Sequence, residues 1–337
     1  MGYNKTKSSR YIILNIRGRE MKITLLEPLG IASEVLEHIT KKIREAGHEF
    51  ISYSDRVEDK HILIERTADS DAVILTNLPY PKEVIEACSN LKYINVAFTG
   101  VDHVDTAYCK ERGITISNAS GYSDIAVAEL AFGMMLNLSR FINEGNQATR
   151  EGKTKAGLIG TELYGKKLGV IGCGRIGQRV IEIAKAFGCE VVVYSRSIKP
   201  ELEAKGVKFV TLETLMRESD IVTLHIPQNS ETIGLIDAEK IGLMKQTALL
   251  INTARGPIVD SKALAEALKS GSIAGAGIDV FETEPPIEGT HPLLNCSNTL
   301  VTPHVAFATK EALERRAEIV LDNMLAWLNG EIKNKVV

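Results

Sequence analysis

The chain has 337 residues, of which 44% are hydrophobic and 25% charged, with a formal net charge of −3. That length is too great for one core and comfortable for two domains. The charge is too balanced for a nucleic-acid footprint, and no apolar run approaches the length needed to cross a bilayer. The five cysteines, Cys88, Cys109, Cys173, Cys189 and Cys296, are odd in number and form no C-x-x-C pair. This argues against a disulfide framework or a zinc site and for a reducing, cytoplasmic setting. Residues 1–20 carry Lys5, Lys7, Arg10, Arg17 and Arg19 with no acid before Glu20. The apolar stretch 11–14 is too short for a signal-peptide core. The segment therefore reads as a poorly ordered upstream extension, with Met21 as an alternative start.

From Met21 the pattern alternates strand and helix. Residues 21–26 read as a strand and 33–46 as an amphipathic helix ended by Gly47. Residues 71–75, 91–97 and 114–117 read as strands, and 81–88 as a short helix with Pro81 at its start. Strands separated by helices imply a parallel sheet covered on both faces. A long helix is expected over 123–150, capped by Ser123 and containing Gly133, followed by a polar loop at 151–160. A second alternating series then predicts strands near 168–171, 190–194, 221–224, 248–251 and 276–280, with a short apolar stretch at 299–301. The last helix, 310–328, stops at Asn329-Gly330. It follows a completed second series, so the chain is expected to return to its first domain. No repeat of fixed period is present.

The run Lys167-Leu-Gly-Val-Ile leads into Gly172-Cys-Gly-Arg-Ile-Gly177. A lone G-x-G-x-x-G is weak, but here strand, turn, helix (178–187) and next strand fall in order. Gly172 permits the tight turn, Gly174 lets backbone approach a pyrophosphate, and Gly177 lets helix and strand pack closely. The pyrophosphate would sit on free N–H groups at the positive end of the helix. Cys173 inside the turn reads as packing.

Three later segments each place a polar side chain where a strand ends: Asn252-Thr-Ala-Arg255-Gly, Asp279-Val-Phe-Glu-Thr-Glu284-Pro-Pro, and Thr302-Pro-His304. In a doubly wound sheet, ligands lie beyond the carboxyl ends of the strands, so these residues can converge. Reduction of a 2-oxo acid needs a cation for the carboxylate and carbonyl, and the planar fork of Arg255 suits it. It needs a proton donor, a role suited to histidine as a residue type, and His304 is the candidate. It also needs a group to orient that histidine, which Glu284 supplies. His225 reads as structural or cofactor-lining, and Asp279 as an acceptor for the nicotinamide amide. Phe307 is either an apolar wall beside the acid or a core residue.

Together these motifs and Ser219-Asp-Ile-Val-Thr-Leu-His-Ile-Pro227 resemble the D-isomer-specific 2-hydroxyacid dehydrogenase family, from about Met21 to the C-terminus. The resemblance implies an α/β architecture of two doubly wound parallel-sheet domains. A Rossmann cofactor domain (120–304) is inserted into a flavodoxin-like substrate domain (21–119 plus 305–337). It implies Arg255 as the substrate-binding cation, Glu284 as the histidine partner and His304 as the acid/base. It assigns Thr99, Gly100 and Val101 to the loop whose amides hold the substrate carboxylate, and the helix from Ser123 to a homodimer arm. Cofactor contacts are expected at Gly172, Gly174, Arg175, Ile176 and Gly177, at Ser195, Arg196 and Ser197, and at His225, Pro227, Thr253, Ala254 and Asp279. No metal, nucleic-acid or membrane partner is expected.

An NAD-type site carries Asp or Glu about twenty residues beyond the turn, to accept the ribose 2′-OH. Here Ser195-Arg196-Ser197 follows the strand 190–194, with Lys199 close behind. NADP(H) is therefore the expected preference, with NAD(H) also accepted. The rival reading is a dinucleotide-sensing, corepressor-like binding protein of the same fold. Retention of Arg, Glu and His together disfavours it, and turnover separates the two. The specific 2-oxo acid is not encoded in any motif.

Overall fold

The computed structural model describes residues 19–284 and 286–337. The expectation of a disordered extension falls mostly on residues 1–18 and lies outside the described residues. The chain's described residues divide into two compact units, 19–122 with 309–337, and 123–308. The expected junctions, at 119/120 and 304/305, differ from these by a few residues.

In the first unit five short strands form a parallel sheet: β1 (Lys22–Leu25), β2 (Glu49–Ser52), β3 (Ala72–Leu75), β4 (Tyr93–Val96) and β5 (Thr115–Asn118), in the order β2-β1-β3-β4-β5. This is the flavodoxin-like order. Every residue of β3 and β4 is buried, as expected where helices cover both faces. The return of the chain is carried by helix Lys310–Leu328, capped by Thr309 Oγ1 accepting from the Ala312 amide at 3.1 Å. Trp327 on this helix stacks on Tyr93 of β4, with ring centroids 4.9 Å apart. Beyond the helix, the Val336 amide donates to the Ile116 carbonyl (2.8 Å), and Ile116 donates to Val337 (3.2 Å). The tail thereby covers the open edge of β5.

The second unit holds a seven-stranded parallel sheet of β6 (Lys167–Ile171), β7 (Glu190–Tyr194), β8 (Lys208–Phe209), β9 (Ile221–Leu224), β10 (Leu249–Asn252), β11 (Gly275–Ile278) and β12 (Thr299–Val301). Its order, β12-β11-β10-β9-β6-β7-β8, is the Rossmann arrangement with one added strand, and its switch point lies between β6 and β9. Two clusters of buried hydrophobic side chains cover the two faces.

The long helix expected over 123–150 is broken. Asp124–Arg140 and Ile142–Arg150 meet at 57°. Phe141 adopts a left-handed φ of +53° at the break. Asn137, nearly buried, explains it: its carbonyl accepts from the Phe141 amide, and its Oδ1 accepts from the Asn143 amide at 3.0 Å. One residue thus ends the first helix and starts the second. Ser123 precedes the helix without a side-chain capping bond. Among the described residues no single helix is long and apolar enough to cross a membrane.

Candidate active site

The glycine turn after β6 has the shape its sequence demands. Gly172 has φ +96°, and a Cβ there would lie 2.4 Å from the His225 carbonyl oxygen. A Cβ on Gly177 would lie 2.0 Å from the Gly172 oxygen, so strand and helix meet at this point. Gly174 is the exposed N-cap of helix Arg175–Ala186, and a Cβ there meets nothing within 4 Å. The turn therefore offers backbone N–H groups to open space at a helix start, which fits a pyrophosphate. Ile176 is half-buried against the core, and Arg175 pairs with Asp124 at 2.5 Å.

The segment Ser195-Arg196-Ser197 adjoins this turn. The Gly172 amide donates to the Tyr194 carbonyl (2.8 Å), and the Cys173 thiol donates to the Ser197 carbonyl (3.7 Å). Ser195 is half-buried, whereas Arg196 and Ser197 are exposed. Arg196 carries an ion pair the sequence did not disclose, to Glu231 at 2.8 Å. At the end of β9, His225 Nε2 bonds Thr223 Oγ1 at 2.9 Å. Its Nδ1 is buried without a hydrogen-bond partner among the described residues, and burial lowers its pKa to about 3. A neutral ring of this kind is not an acid at neutral pH. The Pro227 carbonyl accepts from Thr232 Oγ1 at 2.7 Å, ordering the loop that carries Glu231.

The three strand ends that carry Arg255, Glu284 and His304 are neighbours. β10 pairs with β11 and β11 with β12, so Asn252, Ile278 and Val301 lie in one row. Asn252 shapes the first turn: its Oδ1 accepts from the Ala254 amide (3.0 Å) and its Nδ2 donates to the Arg255 carbonyl (2.9 Å). Thr253 is nearly buried within the same turn. Gly256 then abuts the second segment, because a Cβ there would sit 2.0 Å from the Phe281 carbonyl carbon. Only glycine lets the Arg255 turn and the Val280–Phe281 backbone approach so closely.

His304 Nδ1 faces both Glu284 oxygens, at 2.9 and 2.8 Å. That pairing fixes the ring and leaves Nε2 as the nitrogen on the opposite side. The histidine side chain is 12% exposed. Phe307 stands edge-on to the imidazole at 5.5 Å, which supports its reading as a wall beside the acid. A second carboxylate–histidine pair, Glu282 with His291 at 2.9 Å, clasps the loop between β11 and β12.

Asp279 is fully buried, and three donors already occupy its carboxylate. Oδ1 accepts from Thr302 Oγ1 (2.6 Å) and the Val305 amide (2.8 Å), and Oδ2 from the Ala306 amide (2.9 Å). The His304 amide donates to the Asp279 carbonyl at 2.8 Å. His304 itself has φ +54°, a left-handed conformation costly for a residue with a β-carbon. Asp279 thus holds the histidine turn in an otherwise unfavourable shape. The sequence reading aimed this carboxylate at the nicotinamide amide, with a satisfied strand-end carboxylate as the alternative, and did not name its partners on the histidine turn. The signal was Thr302, an acceptor-seeking hydroxyl two residues before the histidine.

In the first unit, Thr99, Gly100 and Val101 follow β4. The Thr99 carbonyl accepts from Asn118 Nδ2 at 2.7 Å, and the Phe98 carbonyl from the Ala119 amide at 2.9 Å. Asn118, the last residue of β5, was likewise not singled out from the sequence.

Comparison with known proteins agrees with this architecture. Residues 132–306 match the family described as D-isomer specific 2-hydroxyacid dehydrogenase, NAD binding domain. A glyoxylate reductase of Korarchaeum cryptofilum is 38% identical over 314 residues, covering 91% of this chain and 94% of that protein. Among solved structures, an acyclic imino acid reductase in complex with NADPH and D-Arg superposes with a TM-score of 0.86 at 32% identity, covering 94% of this chain and 100% of that one. The D-lactate dehydrogenase of Aquifex aeolicus, complexed with NAD and lactic acid, gives a TM-score of 0.82 at 29% identity, covering 92% and 96%. With the glycine turn, the two parallel sheets and these likenesses in agreement, the chain belongs to the D-isomer-specific 2-hydroxyacid dehydrogenase family.

Proposed function

We propose that this protein reduces small 2-oxo acids to D-2-hydroxy acids, using NADPH in preference to NADH. The observation that carries the proposal is the bidentate Glu284–His304 pair in the same row of strand ends as Arg255. Arg255 binds the substrate carboxylate and draws electron density from the carbonyl through its planar fork. The amides of the Thr99–Val101 loop are assigned to the carboxylate as well. When bound, the nicotinamide supplies the hydride that the carbonyl carbon accepts. His304 Nε2 donates the proton to the carbonyl oxygen, and Glu284 balances the charge of the protonated ring and keeps Nδ1 engaged. Gly172, Gly174, Arg175, Ile176 and Gly177 would hold the pyrophosphate end, with His225, Pro227, Thr253 and Ala254 along the strand ends, while Asp279 serves the histidine turn.

The cofactor preference rests on Ser195, Arg196 and Ser197. No carboxylate stands at Ser195 to repel a 2′-phosphate, and the two hydroxyls and the guanidinium are donors. One charge-assisted bond contributes roughly 1.5–3 kcal/mol. Arg196 must first leave Glu231, and both side chains are largely exposed, so screening trims the gain. The expected NADPH preference in kcat/KM is about tenfold. The identity of two relatives suggests glyoxylate and lactate-sized acids as the substrate class. A homodimer built on the helix from Ser123 is kept from the family resemblance, and Ile142, Ile159 and Tyr164 are exposed in the same unit. The five cysteines are unpaired, consistent with a reducing, cytoplasmic setting.

The test is a reduction screen across 2-oxo acids with both nicotinamides, repeated for Ser195→Asp. We expect turnover with glyoxylate, hydroxypyruvate or pyruvate and reversal toward NADH in the variant. Cofactor binding without turnover of any 2-oxo acid would favour the dinucleotide-sensing alternative. A parent enzyme that prefers NADH would remove the cofactor assignment.

A further inference from the structure

The first unit contains a chain of hydrogen-bonded asparagines, two of them fully buried, that the proposed chemistry does not use. Asn95 and Asn323 are fully buried. Asn95, on β4, donates Nδ2 to the Val320 carbonyl of the C-terminal helix at 2.8 Å. Asn323, on that helix, donates Nδ2 to the Asn118 carbonyl (2.9 Å) and to Asn95 Oδ1 (3.3 Å). Its Oδ1 accepts from Asn334 Nδ2 at 2.8 Å. These partners fix which atom of the Asn323 amide is nitrogen and which oxygen. Asn118 continues the chain. Its amide donates to the Asn334 carbonyl (3.1 Å), its Oδ1 accepts from the Ser120 amide (3.2 Å), and its Nδ2 donates to the Thr99 carbonyl (2.7 Å).

Buried amides are expensive unless every group is paired, and an apolar layer would serve helix-on-sheet packing as well. The direction of the chain shows what the pairing secures. The peptide joining Thr99 to Gly100 is planar and trans, so its C=O and N–H point in opposite directions. Holding the Thr99 oxygen on Asn118 therefore aims the Gly100 N–H to the other side of the same plane. That N–H is one of the donors assigned above to the substrate carboxylate.

The geometry points to Asn118 as a positioning residue that aims the Gly100 amide, with Asn323 holding Asn118 in register from the C-terminal helix. This rests on the reading that the Thr99–Val101 loop holds the carboxylate. Neither asparagine touches the reacting atoms in this assignment. Their effect is on how well a pre-set donor meets an anion, so substrate KM carries it and turnover at saturation does not.

The decisive variant is Asn118→Ser. A serine hydroxyl can still accept from the Ser120 amide, as in an ST turn, but it is too short to reach the Thr99 carbonyl. With glyoxylate as substrate, the expected result is a rise in KM of about three- to tenfold, the range one neutral hydrogen bond supports. Turnover at saturation and cofactor Kd by fluorescence titration should stay within twofold. Asn323→Leu, if it folds, should raise KM in the same direction, and Asn118→Ser/Asn323→Leu should be no worse than Asn118→Ser alone. Should Asn323→Leu prove insoluble, Asn118→Ser alone decides. Gly100→Pro, which deletes the amide, separates the two readings. A raised KM in Gly100→Pro with an unchanged KM in Asn118→Ser overturns the positioning role and leaves the loop assignment intact. An unchanged KM in Gly100→Pro removes the loop assignment and this inference with it. Loss of turnover at saturation in Asn118→Ser with KM unmoved, or additive effects in the double variant, also overturns it.

Discussion

Replacing Asp279 by asparagine asks whether this carboxylate serves the histidine turn or the cofactor. The side chain is fully buried and accepts three hydrogen bonds, from Thr302, Val305 and Ala306. An asparagine placed with its oxygen at the Oδ1 position keeps the Thr302 and Val305 bonds but sets its NH2 against the Ala306 N–H. One charge-assisted bond, roughly 1.5–3 kcal/mol, is lost, and the remaining two fall to neutral strength. The variant should lose about 2–4 kcal/mol of stability. For a unit of this size that is a drop in Tm of about 4–16 °C. The catalytic cost follows from the backbone. His304 holds φ +54° only because the turn around it is fixed, and a relaxed turn moves the imidazole off line. A misplacement near 1 Å costs about 10²-fold. Steady-state kinetics, thermal melting and cofactor titration on one Asp279→Asn preparation measure all three quantities. The expected pattern is kcat down about 10²-fold with cofactor Kd within about threefold. If instead cofactor Kd rises more than about tenfold while kcat at saturation stays near that of the parent, Asp279 acts mainly on the nicotinamide and the clamp argument is wrong.

Three further outcomes follow from the same geometry. His304→Ala should lose about 10²–10⁴-fold in turnover while still binding cofactor, since the glycine turn is untouched; near-normal turnover would mean another group donates the proton. Arg255→Lys keeps the charge but loses the fork, so substrate KM should rise strongly with cofactor Kd unchanged, and an unmoved KM would assign the carboxylate to a different cation. His225 governs acid stability. Burial holds its folded-state pKa at about 3, below the value of about 6.5 in the unfolded chain. Below pH ~6.5 the unfolded chain binds a proton that the folded ring refuses, so stability is complete above that pH and falls by roughly 1.4 kcal/mol per unit toward pH ~3. Between pH 7 and 5 this amounts to about 2 kcal/mol. Urea melts at the two pH values should show this loss in the parent and not in His225→Gln, and equal slopes would refute the assignment.

Much of this protein was legible in its sequence, because the informative signals are local. Strand, glycine turn and helix at 167–187 need only neighbours in the chain, and both sheet cores follow from apolar runs such as Ala72–Leu75 and residues 248–251. The terminal helix was expected over 310–328 and is Lys310–Leu328. What escaped was either short or long-range. Strand β2 is four residues, of which only Phe50 is buried, and β8 is two, so neither gives a periodic signal. The break at Phe141 depends on Asn137 turning its side chain back on the backbone, which composition does not announce. The Arg196–Glu231 pair joins residues separated by 35 positions. Without a structure Arg196 had no visible competitor for a phosphate.

The residues whose positioning roles were not read from the sequence share a chemical character and a place. Asn118 ends β5, Asn252 ends β10, and Asp279 follows β11 directly. Each is a short polar side chain whose oxygen or amide is bonded to the backbone of the next turn or of a neighbouring one. Beyond the last ladder bond of a parallel strand, the backbone has no sheet partner, yet it is still too deep to rely on water. A buried or half-buried Asn or Asp supplies the missing partner and in doing so fixes an irregular turn. The residues assigned to chemistry, Gly100, Arg255 and His304, sit on those turns. Arg255 and His304 were readable because their side chains themselves carry the reaction, and Gly100 because its loop matches the family motif. The asparagines and the aspartate are read only through the distances that tie them to someone else's backbone. A sequence pattern of Asn or Asp closing an apolar run therefore marks where a site residue is being held, one to three residues away along the chain or on the adjacent strand.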